Sequence, residues 1–259
     1  MNEWTFDPDD FAIHWYSDAV DRFPRPLRYT SRFAYQEAFD DHRAKLLASY
    51  SRDELLLIRS AMDTAAEATF RIQISGSTTK TRDHTTAAYR VHATRNDFQA
   101  VVISQINRDN IDGPITVRLV RPENLPRELI NCLPKASPGG QPATTFHTSD
   151  MAPRRDTYLE DVAHNSPQDR ARRFFDRPLD GRGRAALYLG AVLDRPKPHH
   201  AAEWHDFTDD GRYTITRNHN DLIVDPATPQ GQAGQFARWI DTAVQLNQPE
   251  LDEIYDDPW

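Results

Sequence analysis

A single cysteine, Cys132, stands in 259 residues, so no intramolecular disulfide can form and a reducing, cytosolic home is expected. With no Cys pair and no HExxH helix, neither common zinc signature is present, and no metal or cofactor is expected. No apolar run is long enough to span a bilayer, which argues against membrane insertion. The N-terminus, MNEWTFDPDDF, is acidic and lacks the basic and apolar regions of a signal peptide. Basic residues are also short: 31 Lys and Arg stand against 39 Asp and Glu, and a net charge of -8 argues against nucleic-acid binding. Ten glycines and eighteen prolines are moderate and suggest neither a fibrous nor a disordered chain. What is there is a chain of mean hydropathy -0.73, long enough to bury a sizeable core as one large domain or two intimate halves.

Catalytic patterns are missing too. Gly76-Ser77 does not form a G-x-S-x-G elbow. Cys132 sits in LINCLP, the setting of a buried, inert thiol. Asp40-Asp41 and Asp209-Asp210 occupy helix and turn positions that account for them without an acid–base pair. GRGR, Gly181 to Arg184, precedes a strand instead of opening a helix, so it is no phosphate loop. In HHAAEWH, His199, Glu203 and His205 share one side of a strand. At ~3.3 Å per residue, however, its ends lie ~20 Å apart, too far for one zinc ion.

The apolar periodicity alternates between strands and helices. Trp4 to Phe6 reads as a strand, and Asp7-Pro8 caps and starts a helix on which Phe11 and Trp15 share a face, with Asp9 and Asp10 at its positive end. RFPRPLRYT is held extended by its prolines. Phe33 to Ala48 reads as a helix with Phe39, Leu46 and Leu47 on one side. Ser51 and Glu54 form a capping box for a helix striped by Leu55, Leu56, Ile58 and Met62. TFRIQIS, AAYRVHAT, FQAVVIS and ITVRLV follow as strands, with FQAVVIS innermost, and the first two are joined by the polar loop Gly76 to Thr86. RPENLPRELINCL then starts a helix on proline.

The plan recurs: SPQDRARRFF as a helix capped by Ser166, four strands (RAALYLGAVL, AAEWHDF, GRYTITR, DLIVD) and a closing helix with Phe236, Trp239, Ile240 and Val244 on one face. Two quasi-repeated halves, 1–135 and 157–246, around a pseudo-twofold axis are therefore expected. Between them lies a Pro-, Gly- and Ser-rich linker, 136–156, in which Phe146 suits a short strand; an acidic tail, 247–259, ends the chain. Arg170, Arg172, Arg173, Arg177, Arg182 and Arg184 cluster in sequence and offer either a solvated face or a basic patch for an acidic partner.

The strand-then-helix start with Trp15, the FPRPLRY segment, the capped helix before the sheet and, above all, WHDFTDDGRYTIT resemble the EspG family. The family hairpin reads as an aspartate, a turn, then Gly-Arg-Tyr, which Asp206, Gly211, Arg212 and Tyr213 match. DLIVDPATPQGQAGQFARWI resembles the family's closing strand and helix, so the likeness runs through nearly the whole chain. The resemblance implies an α/β (α+β) pseudo-twofold fold, with a central, mainly antiparallel β-sheet flanked by N- and C-terminal helical bundles. It also implies a cytoplasmic, non-enzymatic chaperone of type VII (ESX) secretion. Such a chaperone binds the hydrophobic helical tip of the PPE subunit in a PE–PPE heterodimer, keeps the pair soluble and directs it to the secretion machine. By the same resemblance the client faces the central sheet and the C-terminal bundle, which nominates Arg90, His92, Gln99, Gln235, Arg238 and Thr242, while Arg212 and Tyr213 brace the hairpin. Two alternatives stay open: a small-ligand or enzymatic α/β protein with a pocket between its halves, and a scaffold that self-associates as a homodimer.

Overall fold

A computed structural model describes residues 2–81, 83, 85–109, 111–151, 166–190 and 197–247. Its strands are β1 (Asn2–Phe6), β2 (Phe70–Thr78), β3 (Ala87–Arg95), β4 (Ala100–Arg108), β5 (Ile115–Val120), β6 (Thr144–His147), β7 (Leu179–Leu189), β8 (His200–Phe207), β9 (Arg212–Asn218) and β10 (Asp221–Pro226). The helices are α1 (Pro8–Trp15), α2 (Gln36–Ser49), α3 (Arg52–Glu67), α4 (Leu125–Asn131), α5 (Pro167–Phe175) and α6 (Pro229–Leu246). The strands form one sheet in the order β1-β5-β4-β3-β2-β7-β8-β9-β10-β6, and each neighbouring pair is antiparallel.

That order is symmetric about the β2–β7 pair. Each side is a four-strand meander whose outermost strand pairs with the strand that opened its half, β1 with β5 and β6 with β10. The second half thus has its counterpart of β1 inside the segment expected to be a linker. Nor do residues 137–141 hang free: Gly139 N donates to Arg212 O at 2.9 Å, Arg212 N to Ser137 O at 2.8 Å and Gln141 N to the Tyr213 hydroxyl at 2.8 Å. Residues 152–165 and 248–259, the rest of the expected linker and nearly all of the tail, lie outside the described residues.

Strand alternation divides the side chains between two faces. On one, α4 and α6, the closing helices of the two halves, cover Phe70, Ile72, Ile74, Val91, Ala93, Leu187 and Trp204 with Leu125, Leu129, Phe236, Trp239 and Ile240. The opposite face carries two separate packs. In the first half α1 and α3 bury Phe11, Trp15, Ile58 and Met62 against Val101, Ile103, Ile115 and Val117. In the second half α5 buries Phe174 against Phe207, Tyr213 and Val224. Strand β4 is buried on both faces, with Ala100, Val101, Val102 and Ile103 all at 0% exposure, as its continuous apolar run leads one to expect.

At the axis the sheet is levelled by two glycines. One transverse register row reads Tyr89, Gly76, Gly183, Trp204. The Tyr89 and Trp204 rings lean inward over the glycines, and Trp204 Nε1 donates to the Tyr89 hydroxyl at 3.0 Å. A Cβ on Gly183 would land on the Trp204 ring and the Tyr89 hydroxyl, so these positions need hydrogen for space. GRGR therefore lies within β7 and does not precede it.

The helix starts follow their caps: Asp7 accepts from Asp9 N, Ser51 from Glu54 N and Ser166 from Asp169 N. Two helix faces differ from expectation. Helix α2 buries no residue, and Phe39, Leu46 and Leu47 are only half-buried. Helix α3 buries Ile58, Ala61, Met62 and Ala65, leaving Leu56 60% exposed, because the smaller alanines let it approach β3 and β4 more closely than leucines would. Asp9 is also more than a dipole partner. It is 1% exposed and accepts from the Tyr29 hydroxyl (2.8 Å), the Ser31 hydroxyl (2.7 Å) and Arg32 N (3.2 Å), fixing the end of RFPRPLRYT and the two residues after it to α1.

Candidate docking surface

The hairpin motif is a junction of three segments. Asp206 and Arg212, 3% and 4% exposed, form a two-pronged pair: Arg212 Nε donates to Oδ1 at 2.6 Å and Nη2 to Oδ2 at 2.9 Å. Nη2 also donates to Pro134 O at 2.9 Å, tying the chain beyond α4 to the second half. Tyr213 donates to Asp210 Oδ2 at 2.8 Å, Arg177 Nη1 reaches the same oxygen at 2.7 Å, and Gly140 N meets Asp210 Oδ1 at 2.6 Å. In the turn the left-handed residue is Asp209, at φ 59°, not Gly211. Gly211 is required for another reason: a Cβ there would lie 2.5 Å from Pro138 O.

The six residues nominated for partner contact do not meet on one surface. His92 is fully buried, its Nδ1 2.7 Å from Arg25 O and its ring edge-on to Trp15, so it is withdrawn from any direct contact. Burial above all, with the charge of Arg71 in the same sense, holds it down at about 4, so it is neutral at pH 7. Alternation in β3 hid this, because α1 and α3 cover a face that the sequence leaves polar. Gln99 closes the β3–β4 turn and donates to Ser60 Oγ at 2.9 Å and Thr64 Oγ1 at 2.6 Å on α3. Gln235, Arg238 and Thr242 lie on the outer side of α6, over the other face, and Thr242 donates to Arg238 O at 2.9 Å. Arg90 is half-buried on the opposite face, where β2, β3 and β7 run between the two helical packs.

That central strip is polar. Across it the register row reads Gln105, Arg90, Ser75, Arg184, Glu203, and the next row holds Ser77, Arg182 and His205. Arg182 and Arg184 are exposed. Arg90 Nη1 is buried without a hydrogen-bond partner, and burial, followed by the nearby Arg28, pulls its guanidinium below the usual arginine range while Asp112 opposes. The arginines that cluster in sequence are thus divided between elements. Arg170, Arg172 and Arg173 belong to α5, whereas Arg177 caps an aromatic nest 3.8 Å from the Phe207 ring centre and 4.5 Å from that of Phe174. Arg182 and Arg184 face the strip from β7. Phe98, more exposed than Tyr35 or Tyr16, stands at the tip of the β3–β4 turn with 89% of its surface free; no sequence period marks it, since a turn has none.

Among the described residues, no group of three His, Cys, Asp or Glu side chains is placed to hold a metal ion, and no helix is long and apolar enough to cross a membrane. Burial pushes the Cys132 thiol up to about 11, far from nucleophilic at neutral pH. A cleft of about 410 Å³ does lie between the halves, where α4 ends and α6 begins. Its ionisable wall residues are Lys135 and Arg212, and Arg212 is committed to Asp206 and Pro134. That wall offers no acid–base pair.

The described residues thus form a symmetric antiparallel sheet, closed by paired helices on one face and left polar at the centre of the other. The family model described as EspG family matches residues 7–235, and the chain belongs to that family. Among solved structures, the type VII secretion system chaperone EspG5 of Mycobacterium tuberculosis, in complex with a PE25–PPE41 dimer, is similar with a TM-score of 0.59 at 14% identity. The match covers 93% of this chain and 96% of that one, and at such identity it shows a shared fold. HtdX of the same organism aligns over 86% of this chain and 98% of its own at 11% identity, but with a TM-score of 0.18, which carries no argument. No curated protein matches the chain.

Proposed function

We propose that this protein is a cytoplasmic, non-enzymatic chaperone of type VII secretion that binds the PPE subunit of a PE–PPE heterodimer at its helical tip and keeps the pair soluble until export. The observation that carries the reading is family membership over residues 7–235, joined to a fold shared end to end with EspG5. The geometry suits the task. A protein that shields a partner needs a preformed surface, and the β2–β7 pairing, with the Arg212–Pro134 hydrogen bond, joins the two halves before any partner arrives, which lowers the ordering cost of binding. An interface of the usual size covers ~800 Å² per partner, specific yet reversible. Arg90 and Gln99 on one face, and Gln235, Arg238 and Thr242 on α6, stay in the proposal as contact residues belonging to two separate surfaces. The test is co-expression in a heterologous host with PE–PPE pairs encoded beside ESX components. The PPE subunit should move from the insoluble to the soluble fraction only when the chain is present. If every pair is equally soluble without it, the reading fails.

A further inference from the structure

We propose that the strip between the two helical packs is a docking site for a carboxylate-rich protein segment, gripped by Arg90, Arg182 and Arg184. This rests on the chaperone reading and deepens it: the client's tip would present acidic side chains to this face.

Four observations converge. First, Arg90 and Arg184 flank Ser75 in one register row, so their Cβ atoms stand two strand spacings apart, ~10 Å, with Arg182 two residues along β7. Ser75 and Ser77 are short, which leaves a trough between the cations. Second, among the described residues none of the three arginines makes an ion pair: Glu203, the cross-strand neighbour of Arg184, forms no salt bridge with it, and Arg90 Nη1 lacks a partner. Third, Arg28 adds a further positive charge beside Arg90, opposed there by Asp112. Cations gathered at one place, with no ion pair among the described residues, run against the chain's net charge of -8 and suit an anionic ligand. Fourth, all three are arginines, whose planar forks match carboxylates two bonds at a time. A nucleic acid is disfavoured. Among the described residues the rings on the strip are already engaged, Tyr188 by the Arg71 guanidinium 5.2 Å away and His205 edge-on to Phe175 and Phe207, so neither is a free stacking platform.

The test uses the whole chain and two labelled helical peptides, one bearing Glu along one face at i, i+4 spacing and its Glu→Gln counterpart, followed by fluorescence anisotropy. The Glu peptide should bind, weaken as salt rises, and lose at least ~tenfold in affinity with Arg182→Glu and Arg184→Glu together. The Arg182→Gln, Arg184→Gln pair, which disturbs folding less, should fall between. Equal binding of both peptides, indifference to the substitutions, or tighter binding of an oligothymidylate would overturn the proposal. A purified PE–PPE pair in the same assay separates the two readings. If it binds the wild type and the charge-reversed protein alike, the acidic-segment inference fails while the chaperone reading stands. If the Glu peptide binds through these arginines and no PE–PPE pair does, the strip is what is claimed here and its partner lies elsewhere.

Discussion

Replacing Arg212 by methionine removes the guanidinium but keeps most of the apolar volume of the stem. The carboxylate left behind, Asp206, is 3% exposed and loses both prongs of its pair at once, while Pro134 O loses its donor. Stranding one member of a buried pair costs ~3–5 kcal/mol. For a chain of this size each kcal/mol moves the midpoint of thermal unfolding by ~2–4 °C, so Arg212→Met should melt ~6–20 °C lower. Replacing both members, Asp206→Leu with Arg212→Met, removes the stranded charge and should recover most of the loss. Urea unfolding at neutral pH measures both variants. A loss below ~1 kcal/mol for Arg212→Met, or a double variant no more stable than Arg212→Met alone, would refute the view that this pair is an internal brace.

Other consequences are as specific. Gly183→Ala forces a methyl group against the Trp204 ring and the Tyr89 hydroxyl, and should cost ~1–3 kcal/mol and alter the near-ultraviolet dichroism of that pair; an unchanged melting curve would show that the rings are free to move. His92 gives a pH dependence. Its folded value, about 4, lies below the ~6.5 of an unfolded chain, so the unfolded state takes up a proton that the native state refuses. The stability contributed by the neutral ring is complete above pH ~6.5 and is lost as pH falls toward 4, by ~3 kcal/mol in total. Burial lowers His14 and His205 in the same direction, so the quantity to compare is wild type minus His92→Gln, whose difference should vanish in slope above pH ~6.5.

Local chemistry was legible; meeting points were not. Asp7, Ser51 and Ser166 announce their helices because a cap acts within three residues of itself. The meanders were legible because alternation and turns are equally local. Phe146 marks β6 as a short strand, but its place beside β10 at the edge of the sheet was not legible. His92 reads as a surface polar group until α1 and α3 fold over it, and Asp9 reads as a dipole partner until Tyr29, Ser31 and Arg32 converge on it. Gly211 looks like a turn residue, yet its constraint comes from Pro138, more than seventy positions earlier. Arg177 and Arg182, only five positions apart, serve different places: one is stacked inside the aromatic nest, the other lies open on the strip. In each case the deciding neighbour is remote along the chain.

The most direct test of the central claim is native mass measurement of the purified chain mixed with a PE–PPE pair encoded in the same genome. The account predicts a complex containing one copy each of chaperone, PE and PPE, with the PE–PPE pair left chemically unchanged. A chain that binds no such pair, or one that converts its partner into a product of altered mass, would contradict it.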